Sequence, residues 1–296
     1  MKDLLFTGCG TAIITPFDET GINFEEFKKI IEFQISEGID AIIVCGTTGE
    51  ASTMTTQEKK AAIKFMVDTV SGRIPVIAGT GGNCTATSIE MSKYAESVGA
   101  DGLLLVTPYY NKTTQEGLIK HFEAIAKSVS IPIILYSVPS RTGMNINPST
   151  CLELSKIENI VAIKEASGNI SQIAEISNLC GKSLSIYSGN DDQILPVLSV
   201  GGVGVISVLS NIIPKDVHNM IDYFIHGKTK EAITLQMNTL NLTAALFSEV
   251  NPIPIKEAMN MIGFNAGIPR LPLVPLSTAG KEKLKKAMTE YGIYHN

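Results

Sequence analysis

Lys164 closes the apolar run Ile160-Val161-Ala162-Ile163, so its amine emerges from the end of a segment built for burial. Burying an ammonium is costly, and a lysine in such a place usually responds by giving up its proton more readily. A neutral amine is the nucleophile that attacks a keto carbonyl to form a Schiff base. Taken alone, a lysine at a strand end more often snorkels to solvent, so its neighbours decide the matter. Tyr136 ends the preceding apolar run. A phenol there can pass protons while a carbinolamine forms and dehydrates, particularly where Thr47 or Thr48 extends a relay. Gly46-Thr47-Thr48-Gly49-Glu50 joins two hydroxyls to adjacent backbone N–H groups, a turn suited to a carboxylate, although an ordinary loop with helix-capping threonines fits it as well. Arg141, within Pro139-Ser140-Arg141-Thr142-Gly143, can clamp a second carboxylate bidentately or simply lie on the surface.

These residues act together only if the chain delivers them to one place. The runs CGTAIIT, DAIIVCG, IPVIAGT, DGLLLVT, IPIILYS, IVAIKEA, LSIYSG and GVGVISV show little polar alternation, as strands buried on both faces should. Their starts lie roughly 20–35 residues apart, about one βα unit. Between them, residues 23–38 carry Phe24, Phe27, Ile30, Ile31 and Ile35 as a helical stripe, and Thr55 with Glu58 forms a capping-box pattern before the next helix. Residues 114–129, 171–179 and 214–225 also read as helices. Strands in this number, each followed by a helix, close a (β/α)8 TIM barrel. A doubly wound sheet would use fewer strands and usually open on a Gly-rich turn, where this chain has Thr15-Pro16-Phe17. A barrel places its chemistry at the C-terminal ends of the strands, and hydroxyls, glycines and Lys164 are concentrated there. The expected organisation is a catalytic barrel over residues 1–226 and a C-terminal helical appendage over 227–296, packed against it.

The bulk properties remove other classes. The chain has 296 residues, 44% hydrophobic, with a formal net charge of -5 and no basic block, which argues against a nucleic-acid or anionic-membrane partner. Cys9, Cys45, Cys84, Cys151 and Cys180 are scattered and contain no Cys-x-x-Cys pair, so they read as reduced packing residues; Cys45 beside the 46–50 turn is included. The first residues lack an unbroken apolar stretch and include Asp3, so a secretory signal is not expected, and no run is long enough to cross a bilayer. A cytoplasmic protein is expected. His121, His218, His226 and His295 lack metal-ligand spacing, and neither a Walker A motif nor a G-x-G-x-x-G fingerprint is present, so neither metal nor cofactor is expected.

Taken in order, TAIITPF (11–17), GTTGE (46–50), VIAGTGGN (76–83), VTPYYNK (106–112), LYSVPSRTG (135–143), IKEASGN (163–169), SGND (188–191), GVISV (204–208) and NPIPIKEAMN (251–260) resemble the dihydrodipicolinate synthase branch of the N-acetylneuraminate lyase superfamily. The resemblance covers nearly the whole chain. It implies that Lys164 condenses with pyruvate and that Tyr136, Thr47 and Tyr110 form a proton relay, with Tyr110 supplied by a neighbouring subunit. It implies a homotetramer, a dimer of dimers. Thr48 matches the contact to the pyruvate carboxylate, Arg141 the residue receiving the carboxylate of L-aspartate 4-semialdehyde, and Gly189 and Ile206 backbone contacts near the lysine. The implied reaction joins those two substrates without a metal or diffusible cofactor.

The chain departs from the pattern at Asn190, where an aspartate is common, and at Ser137, where an asparagine is common. Ala51, Thr56, Lys59 and Thr87 stand where relatives inhibited by lysine often carry histidines and a glutamate. Lys59 opposes an ammonium ligand, so weak or absent inhibition by L-lysine is expected. A related pyruvate-dependent aldolase, acting on N-acetylneuraminate or a 2-keto-3-deoxy-sugar acid, shares the lysine and tyrosine. Arg141 and the Thr47-Thr48 pair favour the acidic semialdehyde over a polyol. A barrel that has lost catalysis would lack reason to keep the whole set.

Overall fold

The computed structural model describes residues 4–294, so Asp3 and His295 lie outside it. Strand β1 (Gly8–Ala12) leads into a small antiparallel pair, β2 (Phe17–Asp18) and β3 (Gly21–Ile22), and then helix α1 (Phe24–Ser36). There follow β4 (Ala41–Val44), α2 (Thr56–Val70), β5 (Val76–Gly79), α3 (Thr85–Ser97), β6 (Gly102–Val106) and α4 (Gln115–Ala126). Next come β7 (Ile133–Ser137), the single turn α5 (Pro139–Thr142), α6 (Pro148–Leu154), β8 (Ile160–Glu165) and α7 (Ile170–Cys180). The barrel finishes with β9 (Ser185–Ser188), α8 (Ile194–Ser199), β10 (Gly204–Ser207) and α9 (Pro214–Ile225). Helices α10 (Thr229–Leu246), α11 (Ile253–Met261) and α12 (Thr278–Tyr291) complete the chain.

The eight longer strands pair in parallel and close on themselves, β1 bonding to both β4 and β10. This is the expected (β/α)8 barrel, and closure leaves its strands no free edge. Because strand residues alternate in direction, β8 sends Ala162 and Lys164 into the barrel, while Ile163 packs outward against the helical layer. Likewise β7 turns Ile134 and Tyr136 inward and Leu135 outward. The lower barrel is filled: Tyr187 stacks on Phe6 at 4.4 Å, and its hydroxyl donates to the Phe6 carbonyl at 2.5 Å. Open space is therefore left at the rim formed by the strand C-termini.

The helix at 56–70 begins with the capping box expected of Thr55 and Glu58. Besides the single turn α5, three helices lay outside the amphipathic segments singled out above. Helix α3, with the sequence TATSIEMSKYAES, has too many hydroxyls for a clear apolar stripe; α6 and α8 are too short for one. No helix among the described residues is long and apolar enough to cross a membrane.

Candidate active site

Tyr136 and Lys164 are register partners on β7 and β8, so both point into the barrel at the same height. The Lys164 ammonium lies 4.4 Å from the centre of the Tyr136 ring. Lys164 is 5% exposed and makes no ion pair among the described residues. Its surroundings are shaped by Gly189: a side chain there would place Cβ 3.2 Å from Lys164 Cε and 2.6 Å from Ala166 Cβ. The glycine thus keeps room beside the lysine stem.

A cavity of about 200 Å³ opens over the lysine, lined by Thr47, Thr48, Tyr136, Arg141, Lys164 and Gly189. A neighbouring hollow of about 280 Å³ shares Thr47, Tyr136 and Arg141, and continues past Cys45 and Tyr109 to Ala51, Ser52 and Lys59. Burial pushes the Cys45 thiol up to about 12, which leaves it protonated and suits a packing role. Six of the eight residues singled out by sequence therefore meet in one place. Ile206 does not line the cavity; it is buried in the barrel interior on β10. Tyr110 is also absent from the cavity of its own chain. It stands 94% exposed at a left-handed backbone position, φ 68°.

Not every hydroxyl at the rim faces the cavity. Thr15 donates to the Gly49 carbonyl at 2.8 Å, Thr80 pairs with Ser92 at 2.9 Å, and Thr107 donates to Thr142 at 3.0 Å. These three brace loops. Ser137 accepts from the Ile146 backbone N–H at 3.2 Å, so this departure from the family pattern is likewise structural. Beside Lys164 on the outward face, Glu165 accepts from the Ser167 hydroxyl and from Gln172, and burial raises its carboxyl above the usual range.

The residues that sequence reasoning missed come from beyond the barrel. Lys256 of α11 donates to Glu50 at 2.7 Å, with both side chains wholly buried, and lies over the Phe17 ring at 4.5 Å. The other Glu50 oxygen accepts from the Arg270 backbone N–H at 2.9 Å, and Arg270 itself pairs with Glu58 at 2.7 Å. Asn251 donates through Nδ2 to the Thr48 hydroxyl at 3.0 Å, and its backbone carbonyl accepts from Arg141 Nη2 at 3.1 Å. Gln236 of α10 donates to the Asp191 carbonyl at 3.0 Å, next to Asn190 and Gly189. The Asp191 carboxylate in turn accepts from the Val208 and Leu209 N–H groups, both at 3.0 Å; burial raises its pKa. The available signal for Asn251 and Lys256 was NPIPIK (251–256), an apolar stretch with an asparagine and a lysine at its ends.

The arrangement offers an amine, a phenol beside it, two threonine hydroxyls and a guanidinium. It can add an amine to a carbonyl while holding anionic groups at two points. Among the described residues, no three histidine, cysteine, aspartate or glutamate side chains gather as a metal-ligand set.

Residues 5–291 match the model of the dihydrodipicolinate synthetase family. A 4-hydroxy-tetrahydrodipicolinate synthase of Thermoanaerobacter is 58% identical over 290 residues, covering 98% of each chain. The synthase of Caldicellulosiruptor saccharolyticus is 59% identical over the same length, again with 98% of each chain covered. Among solved structures, the dihydrodipicolinate synthase of Aquifex aeolicus superposes with a TM-score of 0.96 at 43% identity, covering 98% of this chain and all of that one.

Proposed function

The chain belongs to the dihydrodipicolinate synthetase family, and we propose that it condenses pyruvate with L-aspartate 4-semialdehyde through a Schiff base on Lys164. Its activity is that of a 4-hydroxy-tetrahydrodipicolinate synthase, a lyase of the class I aldolase type serving lysine biosynthesis by the diaminopimelate route. One observation carries the assignment of residues: Lys164 and Tyr136 face one another in a cavity that also holds Thr48 and Arg141.

The Lys164 amine adds to C2 of pyruvate, and the resulting carbinolamine loses water to give an imine. That imine draws electrons from the adjacent methyl group, which loses a proton and becomes an enamine carbon nucleophile. The enamine attacks the aldehyde carbon of the semialdehyde, forming the new carbon–carbon bond. The substrate's own amine then attacks C2, closes a six-membered ring and expels Lys164. Tyr136 and Thr47 carry the protons, with Tyr110 of the partner subunit as the third member of the relay. Thr48 receives the pyruvate carboxylate; Arg141 receives that of the semialdehyde. Gly189 and Ile206 frame the lysine through the backbone.

Tyr110 supports a dimer as the working unit, since so exposed an aromatic residue has no use in its own cavity. A dimer of dimers is part of the same proposal. So are a cytoplasmic location, supported by scattered cysteines with no Cys-x-x-Cys pair, and a division at 226/227, supported by the absence of strands among the described residues after Ser207. Lys59 on the wall of the second hollow supports weak or absent inhibition by L-lysine; micromolar inhibition would contradict it.

An assay of pyruvate consumption with L-aspartate 4-semialdehyde, run beside N-acetylneuraminate cleavage, tests the substrate assignment. Turnover is expected with the semialdehyde and none with the sugar acid. The reverse pattern would place the chain among the related aldolases.

A further inference from the structure

Asn251 touches both arms of the proposed substrate clamp while belonging to neither strand end. It is 5% exposed and lines the cavity over Lys164. Its Nδ2 donates to Thr48 and its backbone carbonyl holds Arg141, whereas its side-chain Oδ1 is buried without a partner among the described residues. A buried acceptor left unpaired is destabilising, and such groups are kept mainly where function needs the rest of the side chain.

A threonine hydroxyl has one proton to donate. With an N–H of Asn251 directed at its oxygen, Thr48 is left to donate that proton outward. A carboxylate accepts and never donates, so this orientation suits Thr48 to an anionic substrate group. Were the amide oxygen facing Thr48 instead, the hydroxyl would donate to Asn251 and turn lone pairs toward the anion. We propose that Asn251 is a positioning residue whose side chain aims the Thr48 proton at the pyruvate carboxylate, beside a backbone carbonyl that steadies Arg141. This rests on the function proposed above for the cavity.

The test compares Asn251→Ala with Asn251→Asp in steady-state assays. In the Ala variant KM for pyruvate rises about 10-fold, a loss of about 1.4 kcal/mol, while kcat changes by less than about threefold. In the Asp variant an anionic acceptor captures the Thr48 proton, so KM rises further, and the gap between the two variants narrows as pH falls. In a Thr48→Val background Asn251→Ala no longer changes KM for pyruvate, and the gap to Asn251→Asp shrinks to the repulsion its carboxylate exerts from the cavity wall. Equal KM values for the two variants with Thr48 present, or a fall in kcat with KM unchanged, would overturn the proposal. If the Asp variant does not fold, the double-mutant cycle of Asn251→Ala with Thr48→Val decides: coupling of about 10-fold in KM is expected, and additivity overturns the idea. Failure of the unsubstituted chain to form a borohydride-trapped adduct with pyruvate would instead overturn the function itself.

Discussion

Among the described residues two lysines are buried, and the protein holds them in opposite ways. Lys256 has a carboxylate at 2.7 Å, a backbone carbonyl at 3.2 Å and the Phe17 ring beneath it. Lys164 has a ring and an open cavity, with no ion pair. Burial, with the Arg270 charge nearby, lowers the pKa of Lys256 even against the opposing pull of Glu50. Wholly buried and outside the lining of the cavity, that lysine has no open path to a substrate. The region around Lys256 spends its polar groups on fixing a loop, and the region around Lys164 keeps its own available for a substrate. The fixed loop is the one that carries Thr47 and Thr48, so the first region positions the second.

Breaking the brace should produce the largest change. Lys256→Met leaves Glu50 buried and unpaired, and a loss of about 3–5 kcal/mol is expected in chemical denaturation. Adding Glu50→Gln should recover part of it; no recovery would mean that the pair is not the source. Tyr136→Phe sharpens the contrast from the other side. Catalysis should fall roughly 10²-fold or more with the melting temperature nearly unchanged, because only the oxygen proposed to carry protons is removed. A loss of stability matching the loss of activity would place Tyr136 with the brace.

The smallest effect concerns Glu58, whose carboxyl the Arg270 guanidinium holds down to about 2. A carboxylate with a depressed folded-state pKa stabilises above its unfolded value, near 4.5, and that contribution disappears as pH falls toward 2. Glu58→Gln should therefore lower stability at neutral pH by about 1 kcal/mol or less. The difference from the parent chain should close in acid. A constant difference across that range would assign the effect to the helix cap alone.

The same contrast explains what could be read in advance. All eight barrel strands were visible because both of their faces are buried, which leaves uninterrupted apolar runs in the sequence. Lys164 stood out as a charge ending such a run, and Tyr136 followed from the order of neighbouring strands. Asn251, Lys256 and Gln236 were not legible as site residues. Each lies in a C-terminal helical segment or just before one, and its partner is tens to hundreds of residues away, so no local pattern announces the contact. Tyr110 was legible only by resemblance, since nothing within one chain brings it to the cavity. Helix α3 escaped for a different reason: its serines and threonines blur the periodicity on which helices are recognised.

Borohydride reduction in the presence of pyruvate, followed by peptide mass analysis, tests the central claim most directly. A single stable pyruvate-derived adduct on Lys164 is predicted, lost in Lys164→Met and with Lys256 unmodified. An adduct on another lysine, or none on folded protein, would contradict the account.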